Sequence, residues 1–382
     1  MKRRAAITGI GVISPVGAGS DAFWQGLTSG KNAVTEVTSF STEGFDTRVA
    51  GSISFDVHGA LRWRGLAEFA FKEAVKDARI DASAINGINL GTVLGGILAG
   101  QEAWRAGIGA LPAEYHLYSG ADYLARKFGI KGPVNTVSTA CASGTDAIGM
   151  AYRVIVWGKA DVMIAGGADA LSEFAFTGFN CLKAMTKTGK VKPFSKNRDG
   201  LALGEGACFL VLEELGRAQR RGARVYGLVT GYASRADAGH LTAPDREGRG
   251  LASAMEAALK EAGVKKPGYV NAHGTGTLYN DAMETKAIKL ALGRGAYDTP
   301  VSSIKAMLGH SFGAGGALEA AACLLAIKYG CIPPTINYEE KDPDCDLDYV
   351  PNTARKAAIK NAVSLSAGFG GQNAAIVFEE AR

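Results

Sequence analysis

Cys141 ends an apolar run in Val137-Ser138-Thr139-Ala140-Cys141-Ala142-Ser143-Gly144-Thr145, where small residues make a sharp turn and a helix begins. A thiol at a helix N-terminus feels the positive end of the macrodipole, which favours the thiolate, and the free amides of the first turn can cradle an oxyanion. Of the five histidines, His58, His116, His240, His273 and His310, two lie in Gly-dense surroundings at strand ends. These are Asn271-Ala272-His273-Gly274-Thr275-Gly276-Thr277 and Lys305-Ala306-Met307-Leu308-Gly309-His310-Ser311-Phe312-Gly313. Small neighbours leave such a ring free to face a cleft. One thiol and two imidazoles make an acyl-transfer set: a nucleophile, and rings that accept its proton or donate hydrogen bonds to a thioester carbonyl. The linear spacing matches no zinc-ligand motif. Taken singly, each residue also suits a bland place in the core, Cys141 as a small buried residue like Cys208 or Cys323 and the histidines as structural rings.

Asn280-Asp281-Ala282-Met283-Glu284 reads as a helix start with Asp281 as its cap. Glu284 faces inward if the apolar face includes Ile288 and is a solvated carboxylate otherwise. Lys305 follows a strand-like run; a buried lysine needs a partner, and Glu284 is an available one. Ser366-Ala367-Gly368-Phe369-Gly370-Gly371-Gln372-Asn373 is a Gly-rich turn between two strands, in which Phe369 either swings or packs as the buried aromatic of a tight hairpin. Gly9-Ile10-Gly11 lacks the helix and ribose-binding acid of a dinucleotide fingerprint.

The elements that must position these residues alternate along the whole chain, which argues for an α/β layered architecture. Strand-like runs are Ala5–Ile10, Asn89–Leu94, Val134–Val137, Asp161–Ala165, Cys208–Leu212, Tyr226–Thr230, Tyr269–Ala272, Val301–Ile304, Ala362–Leu365 and Ala374–Phe378. Amphipathic stretches lie between them at Leu66–Ala78, Ser143–Trp157, Gly250–Ala262, Ala282–Leu292 and Gly313–Tyr329. The unit of strand 134–137, small-residue turn, helix 143–157 and strand 161–165 is echoed by 301–304, 313–329 and 362–365, which suggests two packed, pseudo-symmetric halves. No linker separates them.

Composition agrees with a globular protein: 382 residues, 47% hydrophobic, with 42 Lys+Arg against 37 Asp+Glu for a net +5. Interspersed signs give no case for nucleic acid. The 51 glycines are spread among apolar runs and so suggest tight turns and close backbone approach. Six cysteines without a CxxC pair fit reduced thiols in a cytosolic chain. Lys2-Arg3-Arg4 and the run behind it loosely mimic a signal peptide, but glycines and Pro15 interrupt the run, and a buried first strand fits equally well. The longest apolar stretch, Gly313 to Gly330, carries Glu319 and Lys328, so a bilayer span is not expected.

Joined in order, these segments resemble the elongating β-ketoacyl-acyl-carrier-protein synthases, condensing enzymes of the thiolase superfamily. The resemblance runs from Ile7–Gly11 through Val137–Thr145, Phe194 to Glu213 (with Arg198-Asp199-Gly200 and Gly204-Glu205-Gly206), His273–Thr277, Asn280–Glu284 and Lys305–Gly316 to Gly368–Asn373. It implies Cys141 as the acyl-accepting nucleophile. It implies His273 and His310 as ligands of the malonyl thioester carbonyl, Lys305 and Glu284 as their support, and Phe369 as a gating aromatic. The amides of Cys141 and Phe369 match the oxyanion hole, and Thr275, Thr277, Gly368 and Gly370 are candidates for the substrate pocket. The implied fold is thiolase-like, five layers αβαβα from two halves, residues 1–223 with the nucleophilic Cys and 224–382 with the two His. The implied reaction is decarboxylative Claisen condensation in fatty-acid or polyketide-type elongation. It needs no metal or organic cofactor and takes acyl carrier protein as partner in a cytoplasmic dimer, typically a homodimer.

Departures from the family bear on substrate. The chain is shorter around Phe55–Ala67 and between Ala184 and Pro193, and Tyr115-His116-Leu117-Tyr118-Ser119-Gly120 breaks the pattern expected to line the acyl pocket and dimer contact within Leu111–Asp122. The basic pair usual just before that segment is absent, which leaves Arg62, Arg64 and Arg105 as candidates for carrier docking. A coenzyme A-dependent thiolase would carry a second Cys near Gly368–Gly371, and an initiating synthase an Asn in place of His310; neither fits. A chain-length-factor-like partner, mainly structural and obligately heterodimeric, would typically lack the nucleophilic Cys.

Overall fold

The computed structural model describes residues 3–54 and 59–381, so His58 and the part of Phe55–Ala67 that spans 55–58 lie outside the described residues. Ten strands form the main sheet path: β1 Ala5–Ser14, β2 Gly87–Gly91, β3 Val134–Val137, β4 Val162–Asp169, β5 Gly206–Glu214, β6 Gly227–Ala236, β7 Val270–Asn271, β8 Val301–Ser302, β9 Asn361–Gly368 and β10 Gln372–Glu379. Each coincides with one expected strand. The ends differ most at β6, which continues past the expected Thr230 to Ala236, and at β7 and β8 only two residues of each expected run are paired. The layer-forming helices are α1 Arg62–Ala78, α2 Ser143–Val156, α3 Arg249–Ala262, α4 Leu278–Leu292 and α5 Gly315–Tyr329.

Strand order is β8-β7-β9-β10-β6-β1-β5-β4-β2-β3. Read outward from the centre, β1-β5-β4-β2-β3 is repeated as β6-β10-β9-β7-β8, and the senses agree: antiparallel at β1/β5, β5/β4, β6/β10 and β10/β9, parallel at β4/β2, β2/β3, β9/β7 and β7/β8. The repeat extends to an irregularity. The β1/β5 register shifts between Ile7 and Gly9, and the β6/β10 register shifts between Val229 and Gly231. At each shift a glycine lets an outer helix touch the strand: a methyl on Gly9 would sit 2.2 Å from the Ala74 oxygen of α1, and one on Gly231 2.0 Å from the Ala258 oxygen of α3.

Helix α1 covers the outer face of the first half-sheet, and α3 with α4 covers that of the second. Helices α2 and α5 lie between the half-sheets, completing αβαβα. Helix α5 is apolar all round because it is buried all round. By length and composition Phe312–Tyr329 suffices to cross a membrane despite Glu319 and Lys328, but 89% of it is buried inside the protein. The two central helices meet near their N-termini, where a methyl on Gly144 would lie 2.5 Å from the Gly313 oxygen and one on Gly316 2.1 Å from Thr145 Oγ1. Backbone cannot retreat from such contacts without parting the halves. Gly144→Ala is therefore expected to destabilise the fold by about 1–3 kcal/mol, the usual cost of overpacking, read as a lower denaturant midpoint; an unchanged midpoint would show that the interface is slack.

Candidate active site

Ala140 adopts φ 51°, a left-handed conformation that turns the chain sharply between β3 and α2 and presents Cys141 beyond the strand end. Ser143 Oγ braces the turn, donating to the Ala140 oxygen at 2.5 Å and accepting from Thr139 N at 2.9 Å. His273 follows β7. His310 follows the short helix after β8, with its N–H on the Ala202 oxygen and its oxygen accepting from Gly204 N. The fold brings one ligating atom each of Cys141, His273 and His310 within 4.8 Å of one another. The rings stand edge to face, 5.3 Å apart. They sit at the floor of a cavity of about 370 Å³ whose walls include Phe179, Thr275, Thr277, Gly368 and Phe369. Gly370, expected in that wall, is exposed instead and donates its N–H to the Leu241 oxygen.

The tautomer of His310 follows from its hydrogen bond. Nδ1 accepts from Phe312 N at 3.1 Å, so in the neutral ring Nε2 carries the proton and acts as a donor. That state suits a carbonyl oxygen and not a metal ion, which needs the lone pair already used on the backbone. Burial, with Lys305 nearby, pushes His310 down to about 3 and holds His273 well below its ordinary value as well, so both rings are neutral near pH 7. His273 Nδ1 is buried without a partner.

The sequence suggested an activated thiolate; the structure corrects this. Burial pushes the Cys141 thiol up to about 11, against Lys305 and the backbone amides of Phe369 and Cys141, which pull it down. The thiol is the resting form. The same two amides nonetheless face the sulphur region, where an acyl oxygen would sit.

The expected Lys305–Glu284 pair is also corrected. Lys305 is ion-paired with Glu319 of α5, both side chains almost fully buried. Glu284 accepts from His273 N at 2.6 Å and Gly274 N at 2.7 Å, and burial pushes it up to about 8. Asp281 does not cap its own helix. It reaches back to Phe194 N, Thr275 N and Gly276 N. These two carboxylates, one turn apart on α4, thus hold the loop that carries His273. Sequence reasoning missed the role of Glu319, although a lone carboxylate in an otherwise apolar helix is a legible signal. It also missed Asp169, the acid that ends buried strand β4.

Phe369 stacks on Phe179 with centroids 5.5 Å apart, beside Gly370 and Gly371, both at positive φ. Among the docking candidates, Arg62 is no surface cation: its side chain is 13% exposed and clasps Glu205 through two nitrogens. Arg64 lies 3.7 Å from Glu114 and is also mostly covered, while Arg105 pairs with Glu173 at the surface.

Comparison with known proteins follows the same lines. Residues 2–218 match the β-ketoacyl synthase N-terminal domain family, and 226–339 match the β-ketoacyl synthase C-terminal domain family. The tetracenomycin polyketide synthase ketoacyl synthase alpha subunit of Streptomyces glaucescens is 42% identical, covering 98% of this chain and 97% of its own. The 3-oxoacyl-[acyl-carrier-protein] synthase 2 of Synechocystis is 38% identical, covering 99% and 98%. Among solved structures, a ketosynthase in a type II polyketide complex with its acyl-carrier protein, bound to a hexaketide, superposes with a TM-score of 0.92 at 33% identity over the whole of both chains. The ishigamide ketosynthase/chain length factor gives 0.92 at 36%, again over the whole of both.

A protonated resting thiol has a measurable consequence. Labelling of Cys141 by iodoacetamide, followed by mass spectrometry, is expected to speed up about tenfold per pH unit from neutrality towards pH 11, as the thiolate fraction grows. A plateau already reached by pH 8 would show that the helix end outweighs burial.

Proposed function

The chain belongs to the β-ketoacyl synthase family of acyltransferases, which share the thiolase fold, and from that premise we propose that it condenses a carrier-bound acyl thioester with malonyl-acyl-carrier protein. The observation that carries the reading is the meeting of Cys141, His273 and His310 within 4.8 Å, beneath a cavity and beside two converging amides. Cys141 attacks the acyl thioester, the carbonyl oxygen moves into the amides of Cys141 and Phe369, and the carrier thiol leaves with the proton. His273 relays that proton, because the Nδ1 lone pair of His310 is engaged by Phe312. The malonyl thioester then enters. Nε2–H of His310, with His273, binds its carbonyl oxygen, so loss of CO2 leaves an enolate rather than a free carbanion. The enolate carbon attacks the acyl-Cys carbonyl, the C–S bond breaks, and the β-ketoacyl product forms as the sulphur is released.

Lys305 supplies a fixed positive charge close to both imidazoles, held by Glu319, while Glu284 positions the His273 loop. Phe369, on its glycine flanks, gates the cavity, and Thr275, Thr277 and Gly368 contact the entering arm. None of these roles calls for a metal or an organic cofactor. Polyketide-type elongation is favoured by the Streptomyces relative, and fatty-acid elongation remains within the same chemistry. The partner is an acyl carrier protein, with the exposed Arg105 as the docking contact, in the cytoplasm. Leu111, Leu117 and Tyr118 stand 57%, 37% and 57% exposed on the segment marked for dimer contact, with Trp104 and Ile108 exposed just before it, which supports a paired chain. The ketosynthase/chain length factor structure makes a heterodimer as suitable as a homodimer. Division at 223/224 into two halves is supported by the repeated strand order and by family matches ending at 218 and resuming at 226.

Intact-mass spectrometry of wild type and Cys141→Ala, with a panel of acyl-carrier thioesters followed by malonyl-carrier, tests the reading. The expected result is an acyl adduct on wild type alone, discharged as β-ketoacyl product. Absence of any adduct, or one that survives in Cys141→Ala, would overturn it.

A further inference from the structure

The repeat that relates the two half-sheets also relates two turns, only one of which carries the nucleophile. In the first, Ala140 at φ 51° precedes Cys141, and Gly144 follows three residues on; in the second, Phe312 at φ 50° precedes Gly313, and Gly316 follows three residues on. Each turn opens a central helix, and each faces the end of a strand from the other half. Strand β9 ends at Gly368, where a methyl would lie 2.9 Å from Cys141 N. Strand β4, the counterpart of β9, ends at Asp169, whose Oδ2 accepts from Gly313 N at 2.7 Å. Where Gly368 leaves room in front of the Cys141 amide, the corresponding space in front of the Gly313 amide is filled by a carboxylate.

That carboxylate is saturated with donors. Oδ1 accepts from Thr92 Oγ1 at 2.7 Å, Leu94 N at 2.9 Å and Gly95 N at 3.3 Å, and Oδ2 from Val93 N at 2.9 Å as well as from Gly313 N. It is wholly buried, and among the described residues no cation pairs with it, so the charge is balanced by backbone dipoles and one hydroxyl. The turn it grips is the one that orients His310: Phe312 N, next to Gly313 N, donates to His310 Nδ1 and thereby sets Nε2 as the donor that faces the cavity.

We propose that Asp169 is a positioning residue for His310, an internal anion that occupies the counterpart of the oxyanion pocket and so locks the Phe312–Gly313 turn. It touches neither substrate nor nucleophile. Its removal should impair the step that uses the His310 donor, malonyl decarboxylation, and spare the step that uses Cys141 and its own amides, acyl transfer. The inference rests on the condensing reaction proposed above, and the two half-reactions separate the two ideas.

The test measures both half-reactions on the full chain: acylation of Cys141 by intact mass, and CO2 release from malonyl-carrier. Asp169→Asn keeps the shape but points an amide nitrogen at backbone N–H groups. It should slow decarboxylation about tenfold or more, the scale of one lost charge-assisted hydrogen bond, and change acylation by less than about twofold. Thr92→Val removes one donor isosterically and serves if Asp169→Asn does not fold; a several-fold loss confined to decarboxylation is expected. Equal losses in both half-reactions, or none, would overturn the role of Asp169 while leaving the reaction intact. Wild type that acylates yet never releases CO2 would overturn the reaction, and this inference with it.

Discussion

Everything at the site depends on how closely the first turns of α2 and α5 approach. Gly144 rests against the Gly313 carbonyl and Gly316 against Thr145, with no space for a methyl on either side. Helix axes at such short range bring both N-terminal turns to one point, so the residue ahead of α2 and those ahead of α5 share a single pocket. Cys141 comes from one half of the chain and both imidazoles from the other. A thiol and the imidazoles that meet it can be divided in this way only if the interface is dense enough to hold tenths of an ångström, as close-packed interiors do.

The same density decides the electrostatics. A helix N-terminus contributes about 0.3–1 kcal/mol to stabilising an anion near it, whereas the Cys141 thiol moves from its ordinary 9.0 to about 11, which corresponds to about 3 kcal/mol in the opposite sense. Burial wins, and the histidines respond in the matching direction by staying neutral. The site is therefore built from neutral donors and acceptors around one ammonium, Lys305, rather than from a preformed thiolate–imidazolium pair. Such a site gains most of its effect when charge develops during reaction, because the fixed dipoles are already aimed.

Carboxylates do the holding. Asp281 and Glu284 gather the amides of the His273 loop, Glu319 anchors Lys305, and Asp169 ties the end of β4 to the turn beyond His310. Each is buried and is held mainly by main-chain N–H groups or, for Glu319, by a single cation on Oε1 with Oε2 left without a partner, an arrangement that gives geometric definition in return for desolvation. The two halves differ at this point. The strand end facing Cys141 is a glycine that lines the cavity, while its counterpart facing Gly313 is an aspartate whose carboxylate fills the corresponding place.

Sequence alone determined the alternation of elements and the ten-strand plan, and it singled out Cys141, His273 and His310, which the fold then brings within 4.8 Å of one another, because local periodicity, turn residues and scarce side-chain types are all properties of short stretches. It did not determine which charges meet. Lys305 finds Glu319 fourteen positions along rather than Glu284, and Arg62 turns inward to Glu205, since partner choice depends on which helix faces which strand across the layers. Nor could it set the state of the thiol: helix position is visible in the residues around Cys141, whereas depth of burial is a sum over atoms from both halves. Those quantities exist only once the halves have packed, when distance and solvent access replace sequence separation as the terms that govern each interaction.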